Sequence, residues 1–469
     1  MHFKTIINTA VLTFLALSQN ALSAPVSDSK TLQISEEWKF QTNNATRNII
    51  STSEGALAHI VAQADSQLFM TLDIDPSIFH KGPTELKFKI KSNEVTKTGH
   101  FIVKVEGNGS PLYLYEMRND PVSGTHDWRT VSVSVPRLSK ATNAIVGYLM
   151  FSSGEVWLGD VQLLQDKTEA ESNKSYDKLK EYALSLIKDH YILRDTIDIT
   201  EFEQYADDVF MGVQNDDQAD AALTALFSKL NHRHLIILNR AKTSAHEETR
   251  QQKSVLSLVG NKTALISLPK KFGSEAARQA EFARTDALIE KYSENGIQNW
   301  IIDLRDQPGG NLVPLFNLTR QFFSDQQLYS TQLVDGSEEF FWLKDGSVEA
   351  GNRASMERSL ARKDNSTIHH PVSKARVILL ISNDTGSAPE MLAQAFSDRE
   401  NSILIGSETA GLMSSNHTFE FANGTTIALP IGQTTSIRGE LIYKIQPDIN
   451  TEPDEALSVA LKYLEDNRL

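Results

Sequence analysis

The sequence predicts a multidomain chain: an all-β sandwich, then a helical subdomain, then an α/β core. Three patterns predict it. Between Val26 and Gln165 short runs alternate apolar and polar residues, as Val131, Val133 and Val135 do within Thr130 to Val135. That two-residue period belongs to a half-buried strand. From Tyr176 to Leu230 apolar residues recur at helical spacing, and from Ser254 to Leu469 strand-like runs alternate with helical ones. Such alternation argues helices layered on a largely parallel sheet.

Taken in order, residues 1–24 read as a secretory signal peptide. Lys4 supplies the positive start, Ile6 to Leu17 a short apolar run, and Ala21-Leu22-Ser23-Ala24 the small residues for cleavage after Ser23 or Ala24. The run is too short to span a bilayer comfortably, and no other segment could span. Cysteine is absent, so an exported chain must be held by its core alone. A periplasmic or extracellular location is expected.

The sandwich is expected over 26–165, punctuated by turn clusters at Gly107 to Ser110 and Ser152 to Gly154 and closed by a strand from Glu155 to Leu163. The acidic stretch Asp166 to Tyr176 reads as a linker. Over 172–245, Tyr176, Leu179, Tyr182, Ala183, Leu186 and Ile187 form one helical face. Ala219, Ala222, Leu223, Leu226 and Leu230 form another, opened by the acidic pair Asp216 and Asp217. This pair leads into Leu230-Asn231-His232-Arg233-His234-Leu235. The α/β core is expected over 250–469.

Two stretches of that core carry chemistry. Arg376 to Ile381 is an apolar run followed by turn residues, and Pro389 and Glu390 suit the first turn of a helix. Ser387 thus stands where a strand turns into a helix, a good seat for a nucleophile, although serine is also a common helix cap. Asn299 to Arg305 is a second buried run, and Gln307-Pro308-Gly309-Gly310 turns after it. A double glycine lets the backbone approach a ligand and point N–H groups at it.

In this order the two stretches resemble the S41 family of serine peptidases, which includes C-terminal processing peptidases, the tricorn core and the interphotoreceptor retinoid-binding protein modules. The family's DLR-x-N-x-GG turn stands here as Asp303-Leu304-Arg305-Asp306-Gln307-Pro308-Gly309-Gly310. Its T-x-SA-x-E stands as Thr385-Gly386-Ser387-Ala388-Pro389-Glu390, and its G-E-x-T-x-G as Gly406-Ser407-Glu408-Thr409-Ala410-Gly411. Gln307 replaces Asn, and Ser407 is an extra residue. The resemblance implies a ClpP/crotonase-like core without a PDZ domain, and a serine peptidase acting on peptide or protein substrates. It implies Ser387 as nucleophile, with an oxyanion hole from the N–H groups of Gly310, Gly309 and Ala388.

Processing peptidases use a lysine just after the third motif, where this chain has Leu412, Met413 and Ser414. Tricorn-like members instead use a histidine closing L-x-D-x-H, which matches Leu230 to His234 and implies His234 as the base. His232 stands where the acidic residue is expected and, on a strand, would share a face with His234. A supporting glutamate precedes the family's G-V-x-P-D-I turn. Glu440 precedes Lys444 to Ile449 here, and it either fills that role or is a solvated loop residue. Glu390 is expected to cap its helix and Asp303 to bond turn backbone.

The sandwich resembles galactose-binding-like jelly rolls through His126 to Pro136, Ala144-Ile145 and Trp157 to Leu163. Tyr113 or Trp128 would stack on a sugar if exposed, and the packing role is preferred. Two other readings stay open: an apolar-ligand-binding protein on the same fold, and a carbohydrate-binding protein whose sandwich is the working part. The formal net charge of −14 gives no footprint for nucleic acid. No cofactor or metal is implied, since H-E-x-x-H is absent and His369-His370 lies in a polar stretch.

Overall fold

The computed structural model describes residues 28–53, 55–64, 66–117, 121–165, 174–238, 252–260, 262–270, 272–362 and 372–466. The signal-peptide assignment, most of the linker, and His369-His370 lie outside them.

The N-terminal region is built on one long strand, Thr84–Gly107. Its first half pairs with Val161–Gln165 and Val122–Val135, its second with Asn143–Met150 and Ser110–Glu116. Register shifts near Ser92 and Val95 bend it between the two. Alternation then does what the sequence pattern predicts. Leu86, Phe88, Ile90, Phe101, Val103 and Val105 are buried, together with Val131, Val133 and Val135 from the partner strand. The expected closing strand is in fact two, Gly154–Gly159 and Val161–Gln165. Asp160 breaks it, and its carboxylate accepts the N–H of Ile34 at 2.6 Å. Among the described residues no helix is long and apolar enough to cross a membrane.

Three helices follow: Lys174–His190, Ile199–Phe210 and Asp216–Ser228. The second was not expected. Asp198 starts it by accepting the N–H of Glu201, as Asn215 starts the third by accepting that of Gln218. The helices join the sandwich core rather than forming a separate one. Ala183, Ile187, Ala206, Val209, Leu223 and Leu226 belong to the same buried cluster as the sandwich interior. Polar ties reinforce this. Tyr205 Oη donates to the carbonyl of Leu112 at 2.7 Å, and the Asp208 carboxylate pairs with Arg137 and accepts the N–H of Ser139.

The C-terminal region has two sheets. One runs in the order Val255–Gly260, Thr263–Ser267, Asn299–Asp303, Arg376–Ile381, Ser402–Gly406, Ile449–Asn450. It is parallel except for its first pair, as its near-continuous apolar strands require. The other is an antiparallel sheet that the sequence reading missed: Ile236–Leu238, Thr426–Thr435, Gln326–Leu333, Glu338–Lys344 and Ser347–Gly351, with Ser414–Glu420 also on Thr426–Thr435. Through it the boundary expected at 245 is crossed. Ile236–Leu238 pairs with Thr426 to Ala428, so the histidine segment is stitched into the core.

Candidate active site

The serine turn is fixed before the serine is reached. Strand Arg376–Ile381 is central in its sheet, and Val377 to Ile381 are fully buried. Past its end Ser382 Oγ donates to the carbonyl of Arg305, Thr385 Oγ1 to that of Leu304 at 2.8 Å, and Gly386 N–H to that of Gln307 at 3.0 Å. These bonds clamp the serine turn onto the Gln307-Pro308-Gly309-Gly310 turn. Between the clamp and helix Ala388–Ser397, Ser387 adopts φ 59° and ψ −124°. A non-glycine residue there is strained at a cost on the order of 1–3 kcal/mol.

Glu390 holds that conformation. It is fully buried, and its carboxylate accepts four hydrogen bonds. One oxygen takes Ser387 N–H at 2.7 Å and Leu412 N–H at 2.8 Å; the other takes Thr409 Oγ1 at 2.5 Å and Gly411 N–H at 2.8 Å. The expected helix cap is therefore also a tether between the Ser387 turn and the 409–412 loop.

His234 meets Ser387 from the other sheet. Its Nε2 lies 2.7 Å from Ser387 Oγ, and its Nδ1 lies 2.8 Å from Ser414 Oγ. Ser414 begins strand Ser414–Glu420. Two residues on, Asn416 Nδ2 donates to the His234 carbonyl at 2.6 Å. One strand thus fixes both ring and backbone. His234 and Ser414 are each 6% exposed. Burial, with help from neighbouring His232, pulls the His234 pKa down to about 4, while a hydrogen bond with the Ser414 backbone works in the opposite sense. The ring is neutral at pH 7 and able to take a proton from Ser387.

His232 does not share a strand face with His234. Residues 231–235 form a turn, with Asn231 at φ 48° and Leu235 N–H bonded to the His232 carbonyl. The His232 ring accepts the N–H of His234 through Nδ1 and packs edge-on against Tyr191. Glu440 is also separate from the centre. It is exposed, and its carbonyl and N–H belong to a tight turn with Ser436. The place beside Nδ1 that a supporting carboxylate would fill is taken by Ser414. Sequence reasoning had marked Ser414 only as a position lacking the family lysine; its pairing across sheets left no local signal.

The two glycines and Ala388 come together at Ser387. Gly309 and Gly310 have φ of 140° and 138°, and a Cβ on Gly309 would sit 3.3 Å from Ser387 Cβ. Only glycine combines that backbone with that approach. Among the described residues the N–H groups of Gly310 and Ala388 have no hydrogen-bond partner, and Pro389 has none to offer. The donors left open beside Ser387 Oγ are suited to a developing oxyanion. Asp303 chelates Arg305 through both carboxylate oxygens, and Arg305 Nη1 reaches the Pro453 carbonyl at 2.6 Å.

Residues 262–451 match peptidase family S41, a span that holds Ser387, both glycines and Ser414 but not His234. The nisin-resistance protein of Lactococcus lactis subsp. lactis is 28% identical over 237 residues, 50% of this chain and 69% of that protein. The carboxy-terminal processing protease CtpA of Bacillus subtilis (strain 168) is 26% identical over 176 residues, 37% of this chain and only 32% of the relative. Among solved structures, a lipoprotein from Streptococcus agalactiae shares the fold with TM-score 0.51 at 16% identity, over 64% of this chain and 99% of that one. Residues 262–451 thus carry a peptidase family S41 domain, which with the processing-protease relatives indicates a serine-type peptidase.

Proposed function

We propose that the chain hydrolyses peptide bonds through an acyl-enzyme on Ser387, with His234 as general base. The observation that carries this is the 2.7 Å contact between His234 Nε2 and Ser387 Oγ at a left-handed strand-to-helix turn. A neutral His234 donates Nδ1–H to Ser414 and so presents Nε2 as the acceptor. As Ser387 Oγ attacks the scissile carbonyl, its proton passes to Nε2, and the N–H groups of Gly310 and Ala388, with Gly309 beside them, hold the oxyanion. The imidazolium then protonates the leaving amine. Water repeats the sequence on the acyl-enzyme. Ser414 takes the orienting part usually played by a carboxylate.

The test is fluorophosphonate labelling of the mature protein. Wild type and His232→Ala are expected to label at one site, and Ser387→Ala and His234→Ala not to label. Labelling that survives Ser387→Ala would sink the assignment.

The chain is further proposed to be exported to the periplasm or beyond, which N-terminal sequencing of the secreted form would check at Ser23 or Ala24. A sugar contact through the sandwich would fall to Trp128, which is 41% exposed, and not to Tyr113, which is buried with its hydroxyl on the Ser134 carbonyl.

A further inference from the structure

The backbone that carries His234 is held by a side chain of its own turn. After helix Asp216–Ser228 the chain turns at Asn231, with φ 48°, and the His232 carbonyl takes the N–H of Leu235 at 3.1 Å. Between these, His232 Nδ1 accepts the N–H of His234 at 3.1 Å. A side-chain acceptor on the N–H two residues further on is the closure that asparagine and aspartate make in turns; here an imidazole supplies it. The ring leans edge-on against Tyr191, with 5.8 Å between centroids. Tyr191 is buried, and the residue after it is pinned to the core, Ile192 N–H on the Pro430 carbonyl at 2.9 Å. Burial lowers the His232 pKa, which keeps Nδ1 free of a proton at neutral pH and able to accept.

We infer that His232 is a positioning residue, whose Nδ1 sets the backbone from which His234 reaches Ser387. The inference rests on the Ser387–His234 reading and adds a residue to it. Strand Ser414–Glu420 holds the His234 ring through Ser414 and the His234 carbonyl through Asn416. Neither bond engages the His234 N–H. His234 is buried, and a donor stranded in a closed site is costly, so without His232 Nδ1 the turn would shift to find another acceptor. His234 Nε2 lies 2.7 Å from Ser387 Oγ, and a proton transfer across such a contact is sensitive to small displacements. Removing the acceptor therefore slows reaction at Ser387 while every reacting group is still present.

The experiment uses the full mature chain and the rate constant of fluorophosphonate labelling, with urea unfolding to show that each variant is folded. His232→Ala is expected to label at the same single site as wild type but about tenfold more slowly, the worth of one neutral hydrogen bond. His232→Phe keeps a ring beside Tyr191 without the acceptor and is expected to be as slow. His232→Asn loses the ring, yet its Oδ1 stands as far along the side chain as Nδ1 and can close the same turn. It is expected to recover most of the wild-type rate, an ordering that lost packing alone would not produce. The inference is overturned if folded His232→Ala or His232→Phe labels at the wild-type rate, or if His232→Asn is as slow as His232→Ala. Should His232→Phe not fold, the alanine and asparagine variants decide between them. A folded wild type that does not label, or labelling that survives His234→Ala, would instead bring down the Ser387–His234 reading.

Discussion

At the scale of single residues the unusual choice is a serine hydroxyl beside the histidine's second nitrogen. A hydroxyl fixes the tautomer but supplies no charge to stabilise an imidazolium. Ser414→Ala is expected to lower kcat by about tenfold, the worth of one neutral hydrogen bond, with KM little changed. A purely structural role would not move the pH profile, and this one should. His234 must be neutral to act, and burial has drawn its pKa down to about 4. The acid limb of kcat/KM should therefore fall through about pH 4, below the ordinary histidine range near 6.5. Ser414 Oγ lies against Nδ1 and can accept from the imidazolium, so Ser414→Ala should move the limb further down and Ser414→Asp, which places a carboxylate there, should move it up. Ser414→Thr should restore the wild-type profile. Steady-state kinetics from pH 3 to about pH 8 measures all four, and a limb near 6.5 in wild type would contradict the buried, neutral ring.

At the scale of elements, the strand Asn299–Asp303, the strand Arg376–Ile381 and the helix Ala388–Ser397 were legible because they are buried on both faces or begin with proline and glutamate. The antiparallel sheet was not. Ser414–Glu420 reads Ser-Ser-Asn-His-Thr-Phe-Glu, and Gln326–Leu333 is half polar. Their strand character comes from pairing with Thr426–Thr435, a partner that is distant in sequence and leaves no periodicity. For the same reason Ser387, His234 and the glycines could be named from local motifs, while Ser414 and Asn416 could not. Glu440 failed because proximity in sequence to a turn says nothing about which side of the turn faces the histidine. The element that depends most on one residue is the Ser387 turn. Glu390→Ala would leave Ser387 N–H, Gly411 N–H, Leu412 N–H and Thr409 Oγ1 without their acceptor in a closed site. A loss on the order of 3–5 kcal/mol is expected. Urea unfolding measures it, and fluorophosphonate labelling should fall with it even where the variant remains folded, because the Ser387 N–H then loses the carboxylate that tethers it.

At the scale of the whole molecule, the proposed nucleophile and base reach the site from different parts of the chain. Ser387 rides on the parallel sheet. His234 arrives through helices whose buried face continues the sandwich interior. Those helices meet the core through the Ile192 N–H on the Pro430 carbonyl at 2.9 Å and Arg194 Nη2 on the Val334 carbonyl at 2.9 Å. The sandwich therefore reads as one wall of the unit that positions the base, whatever else it binds. Removing residues 26–165 would strip cover from apolar residues of the helical region such as Phe210, Val213 and Leu223 and leave the Asp208 carboxylate without Arg137. The truncated chain is expected to aggregate or to lose fluorophosphonate labelling, whereas the intact mature chain should unfold in one calorimetric transition spanning sandwich and helices. A milder probe separates cover from simple loss of mass. Arg137→Ala leaves the apolar contact in place but strands Asp208 beside the Ser139 N–H in a largely buried corner, where removal of one partner costs on the order of 3 kcal/mol or more. Heating that variant should lower the single transition without splitting it. Two resolved transitions in wild type, the upper one insensitive to Arg137→Ala, would mean that the sandwich folds independently and does not support His234.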